Sequence, residues 1–226
     1  MTQTPGPTVK KALAAIKERI TVEEPATYKR FARKKLTPER LKQWQTWLHF
    51  DSCQDAELAK MLRAAATFNR DICRDFWGPA YWLTFLGSSG TGKTHLAKGA
   101  WKAWERKAQF RKARGGIEVP MDGYYWNWDR FINELRERHY GVFQDACRAK
   151  FLILDDIGAG HTSSSFAIDK LYELLNARLD KWTVITANQK LETIAEWDQR
   201  IASRLIRNGN QCIEAVTKDY ATRTRE

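Results

Sequence analysis

Eight consecutive residues, Gly87-Ser88-Ser89-Gly90-Thr91-Gly92-Lys93-Thr94, fit the pattern G-x-x-x-x-G-K-[ST]. Glycine reaches backbone conformations closed to other residues, so such a loop can turn successive N–H groups toward one point and collect phosphate oxygens there. A helix starting near Lys93 would add the positive end of its dipole. Lys93 can place a cation on the β- and γ-phosphates, and the Thr94 hydroxyl can ligate Mg²⁺. The pattern needs an apolar strand before it and a helix after it. Tyr81-Trp82-Leu83-Thr84-Phe85-Leu86 supplies the strand, and the stretch from 93 to 109 has helical patterning.

Three further groups of polar residues stand where strands end. Phe151-Leu152-Ile153-Leu154 runs into Asp155 and Asp156. Beside a phosphate loop, the first acid of such a pair helps hold Mg²⁺ and its neighbour can orient or deprotonate an attacking water. Thr183-Val184-Ile185-Thr186-Ala187 delivers Asn188, an amide that could contact the γ-phosphate or position the water. A dozen residues on, Asp198-Gln199-Arg200-Ile201-Ala202-Ser203-Arg204-Leu205 reads as helical, and Arg204 or Arg200 could project out of the subunit. Taken alone, an Asp-Asp pair is more often a turn and Asn188 a turn residue. For the acid pair, the phosphate loop some sixty residues upstream reverses those odds.

The elements that must position these groups are legible as alternation. Besides the strands already named, Cys212-Ile213-Glu214-Ala215-Val216 and, more weakly, Tyr124-Tyr125-Trp126 have strand character. Helical patterns at 93–109, 129–148 and 166–180 separate them, which predicts a parallel sheet flanked by helices. Ahead of this region the apolar spacing of Val9, Leu13, Ile16 and Ile20, then Leu41, Trp44 and Leu48, then Leu58, Met61, Leu62, Ala65, Phe68 and Ile72 predicts three helices, the last broken at Trp77-Gly78-Pro79. The expected division is a small helical N-terminal module, 1–79, and an α/β domain, 80–226.

In this order and spacing the motifs resemble the AAA+ helicase loaders of the DnaC type and their relatives, the IstB-type transposition helper ATPases. The run Leu-Asp-Asp-Ile-Gly (154–158), Asn-Ala-Arg (176–178), Thr-Ala-Asn (186–188) and Arg-Ile-Ala-Ser-Arg-Leu (200–205) carries the resemblance, which spans about Trp82 to Arg223. It implies a P-loop NTPase fold of the AAA+ type with a five-stranded parallel sheet and ATP with Mg²⁺ as cofactors. Gly87, Ser88, Ser89, Gly90, Thr91, Gly92, Lys93 and Thr94 become the Walker A loop, with Thr94 and Asp155 on the metal. Asp155 and Asp156 become the Walker B pair, Asn188 sensor 1, and Arg204 the arginine finger that completes a neighbouring subunit's site. It also implies ATPase activity and partners, a replicative helicase or a transposase, with single-stranded DNA. Two departures stand out: only ten residues follow Val216, so the usual C-terminal helical lid is expected to be missing, and the second acid is Asp where Glu is usual, so slow, partner-stimulated ATP hydrolysis is expected.

Composition agrees with these partners and excludes other classes. The chain holds 38 Lys and Arg against 27 Asp and Glu, a net charge of +11, which suits a polyanionic partner. Arg136-Glu137-Arg138-His139-Tyr140 and the loop from Gly158 to Ser165 combine arginines, an aromatic ring and small hydroxyl residues, a set that fits single-stranded nucleic acid. Four dispersed cysteines, Cys53, Cys73, Cys147 and Cys212, form no metal-binding spacing and read as free thiols. Neither a signal segment nor an apolar run of about 18 residues is present, and a cytoplasmic protein is expected. A small-molecule kinase would share the phosphate loop, but the strand ending in Asn188 and the Arg200/Arg204 helix would have no task in it.

Overall fold

The computed structural model describes residues 55–113, 122–158, 164–207 and 209–215. The helices expected around Val9, Leu13, Ile16 and Ile20 and around Leu41, Trp44 and Leu48 lie outside them. The Asp55 carboxylate accepts from the N–H groups of Glu57 and Leu58 and so caps α1 (Ala56–Arg74). The five strands are β1 (Trp82–Gly87), β2 (Gly123–Asn127), β3 (Phe151–Ile157), β4 (Trp182–Ala187) and β5 (Gln211–Ala215). They pair in the order β2-β3-β4-β1-β5, all parallel. β1 and β4 are buried along their whole length, which explains why both lack polar alternation.

Helices cover both faces. On one lie α1 and α2 (Lys93–Ala113), whose Leu58, Phe68, Leu96 and Trp104 pack with Leu83, Phe85, Phe151 and Val184. Residues 56–74, grouped from sequence with the N-terminal module, thus share a core with the sheet. The other face carries α3 (Trp128–Arg136), α4 (Tyr140–Arg148), α5 (Ser165–Ala177), α6 (Leu191–Trp197) and α7 (Gln199–Leu205), packed through Phe131, Leu171, Ile194 and Ile201 onto Leu86, Leu152, Leu154 and Ile185.

One expected element divides. The helical pattern over 129–148 forms two helices, because Arg138 adopts a left-handed backbone (φ 64°) and turns the chain between α3 and α4. The fully buried Arg178 then ties the layers together. Its guanidinium donates to the carbonyls of Ala146 (2.7 Å) and Ala149 (2.8 Å) at the end of α4, to Trp182 O (2.8 Å) and to Thr183 Oγ1 (3.0 Å). Its own carbonyl accepts from the Trp82 indole at 3.1 Å. Among the described residues no helix is long and apolar enough to cross a membrane.

Candidate functional site

The polar groups singled out in the sequence gather at the C-terminal edge of the sheet, where β1, β3 and β4 lie side by side. Gly87 (φ 122°), Gly90 (φ 74°) and Gly92 (φ 86°) all occupy the left-handed half of backbone space, the conformations that let this loop curl. Gly87 is also held by space: a Cβ there would stand 2.2 Å from the Ala215 carbonyl oxygen on β5. Its N–H donates to Gln189 O (3.1 Å), which ties the loop to the segment after β4.

At the start of α2, Lys93 is 5% exposed, and its ammonium donates to Gly87 O (2.9 Å), Ser88 O and Thr91 Oγ1 (3.2 Å). Burial pushes its pKa down to about 8, against the opposing pull of Asp156 and Asp155. The next side chain, Thr94, donates its hydroxyl to Asp155 Oδ1 at 2.9 Å.

Asp155 is buried and takes two more donors: Thr186 Oγ1 at 2.7 Å on Oδ1, and the Tyr125 hydroxyl on Oδ2. Thr186 serves both acids, since its oxygen also accepts the Asp156 N–H at 2.8 Å. At this point the β3–β4 ladder breaks register, and Asp156 takes φ 63°, a left-handed backbone that Asp tolerates better than most residues. The irregularity aims the Asp156 carboxylate at the Asn188 amide, which donates to it. Burial, then the neighbouring Asp155 and Asp129, raise the Asp156 pKa, with Lys93 opposing.

Lys93, Thr94, Asp155, Asp156 and Asn188 are therefore one connected constellation. Arg204 stands apart from it: its hydrogen bonds go to Asn176 Oδ1 (2.7 Å) and Tyr172 OH (3.2 Å) on α5 and to Arg200 O (3.3 Å) on α7. Sequence reasoning passed over Tyr125 and the bridging role of Thr186. The sequence sign was a hydroxyl, Tyr125 and Thr186, on each of the two strands beside β3, and it gains meaning only once the register is known. The donor set fits a nucleoside triphosphate with Mg²⁺, offering a cradle of left-handed glycines, a cation, a hydroxyl and a carboxylate, the hard oxygen ligands that Mg²⁺ prefers.

Fold and loop together define a P-loop protein of the AAA+ type. Within that class the chain belongs to the family of IstB-like ATP binding proteins, whose sequence model matches residues 22–207. Similar solved structures include the DnaC helicase loader (20% identity over 76% of this chain and 98% of that one, TM-score 0.57). DnaI is similar at 21% identity over 77% of this chain and 89% of that one, with TM-score 0.57. Domain III of the Thermotoga maritima replication initiation protein DnaA is similar at 17% identity over 79% and 68%, with TM-score 0.58. At these identities the likeness is one of fold. No curated protein matches the chain in sequence.

Proposed function

We propose that this chain is an ATPase that delivers a replicative helicase ring onto single-stranded DNA. In this reading Lys93 and the Gly87–Gly92 backbone hold the triphosphate, Thr94 and Asp155 hold Mg²⁺, Asp156 orients the attacking water and Asn188 fixes Asp156. Bound Mg²⁺ would neutralise charge on the β- and γ-phosphates. Arg204 acts on the nucleotide of a neighbouring copy, so that turnover needs assembly.

The observation that carries the reading is the way the acids connect to a basic, aromatic surface. The segment from Gly158 leaves β3 two residues after Asp156 and returns at Ser164, the N-cap of α5. Ser164 Oγ accepts from Arg136 Nη2 at 3.4 Å, joining it to the exposed turn that carries Arg138 and Tyr140 (54% exposed). Residues 159–163 lie outside the described residues. A nucleic-acid strand seated on Arg136, Arg138 and Tyr140 would bear on the strand that ends in both acids. The fold it shares with the DnaC helicase loader supports the choice of partner. Docking is assigned to the N-terminal module, 1–79, and within it to the segment ahead of α1.

The family match favours a second reading, in which an IstB-like ATPase serves a transposase. Purifying the chain from its host separates the two: a hexameric helicase in the eluate supports the first, a transposase the second. ATP turnover per subunit is expected to rise with protein concentration and again with helicase and single-stranded DNA. Lys93→Ala protein should fold normally and show no turnover, and full turnover in that variant would refute the site.

A further inference from the structure

Two arginines on α7 share one aromatic ring. Arg200 and Arg204 place their guanidinium carbons 4.1 and 4.4 Å from the centre of the Tyr172 ring on α5. Both pairs of residues stand four apart on their helices, Tyr172 with Asn176 and Arg200 with Arg204, so each pair presents one face to the other.

The two cations differ in charge balance. Arg200 forks onto the Asp198 carboxylate, with Nη2 at 2.6 Å and Nε at 3.0 Å from its oxygens, and so is neutralised by the N-cap of its own helix. Among the described residues Arg204 has no carboxylate partner. It is held by neutral acceptors alone, and its buried Nε has no hydrogen-bond partner. A guanidinium kept charged, oriented and without an acid is prepared for an anion from outside.

We infer that Tyr172 and Asn176 are positioning residues that present Arg204, rather than Arg200, to the nucleotide phosphate bound by a second copy of this chain. The inference rests on the shared-site reading proposed above and adds to it what holds Arg204 in place. The Tyr172 ring lies 4.4 Å from the guanidinium carbon, and its hydroxyl, with Asn176 Oδ1, fixes Nη2. Nη1 bonds only to the Arg200 carbonyl, at 3.3 Å, a long bond that a phosphate oxygen can replace.

Mixtures of full-length chains test it. Lys93→Ala protein keeps the finger and lacks the loop cation, whereas Arg204→Ala protein keeps the loop and lacks the finger. Turnover in the mixture arises where the finger of the first meets the loop of the second. Asn176 is exposed, so Asn176→Ala leaves the fold intact. Added to the Lys93→Ala chain, Asn176→Ala or Tyr172→Phe is expected to cut mixed turnover on the order of tenfold, in kcat rather than KM. The same change in the Arg204→Ala chain, which donates no finger, should have at most about a twofold effect. Mixed turnover that is present and insensitive to both changes would overturn the inference. So would donor variants that no longer sediment as assemblies, since the two residues would then hold subunits together instead of an arginine. Mixtures that stay inactive while wild type is active and assembled would overturn the shared site itself, and this inference with it.

Discussion

In the role proposed for it, the Asp156 carboxyl has to be unprotonated to act on water, yet burial and two neighbouring acids hold its pKa above the ordinary Asp range. At a pH where an exposed Asp is already charged, part of the Asp156 population still carries its proton. The acid limb of the turnover profile is therefore expected at a higher pH than an ordinary carboxylate would give. Asp156→Asn keeps the left-handed backbone that Asn also tolerates, so it should fold and bind ATP while losing most turnover together with that limb. Equal loss of binding and turnover would show that the two acids' roles are exchanged. Tyr125→Phe makes a finer change. It keeps the ring against Trp101 and removes the donor from Asp155 Oδ2. Metal-free nucleotide binding should stay constant, and the Mg²⁺ concentration needed for half-maximal effect on binding should rise severalfold, as read by titration with a fluorescent ATP analogue. The P-loop residues were legible as a group because they are contiguous and follow a local spacing. Tyr125 was not, since its role comes from β2 lying beside β3 with Asn127 paired to Asp155, a register no local pattern encodes.

At the scale of elements, Arg178 shows how a signature residue can hold the scaffold rather than the site. It stands in the Asn-Ala-Arg run, whose Asn176 reaches Arg204, while Arg178 itself is buried among carbonyls of α4 and β4. Burial lowers its pKa below the usual arginine value without removing its charge at neutral pH. Arg178→Lys cannot reproduce four hydrogen bonds from a planar fork, and Arg178→Met leaves the carbonyls unpaired. Each is expected to lose about 3 kcal/mol or more of unfolding free energy in urea titration, because hydrogen bonds to a charged group contribute about 1.5–3 kcal/mol each. A loss below about 1 kcal/mol would mean that water replaces the guanidinium. The sheet and its flanking helices were readable from the alternation of apolar runs. The break between α3 and α4 was not, because apolar spacing continues across it and the turn depends on one residue, Arg138, with a left-handed backbone. The partnership of α1 with the sheet was equally hidden: an apolar stripe shows that a face is buried without showing against what.

Across the whole molecule the parallel order of the strands separates neighbours in space by long stretches of chain. Trp82 pairs with Thr183 and Leu83 with Gln211, and the Trp82 N–H is received by the Asn210 side chain. A chain ended after Arg207 would leave β1 without its β5 neighbour and the phosphate loop without the Ala215 carbonyl behind Gly87. It is expected to hold no nucleotide, and a fluorescent ATP analogue that binds it as tightly as the intact chain would refute the dependence. The same topology governs the birth of the protein on the ribosome. β1 and its loop leave the machinery early, but the strands that flank them are made much later, after β2 and β3. At synthesis rates of about 5–20 residues per second, the residues between Gly87 and Trp182 take roughly 5 to 20 seconds to appear. For that interval a strand that is fully buried in the finished fold waits without a neighbour on either side, in the company of other nascent chains. The nucleotide pocket is thus among the last features to mature, and a chaperone that shields the first half of the chain would act on the very segment that later grips the phosphates.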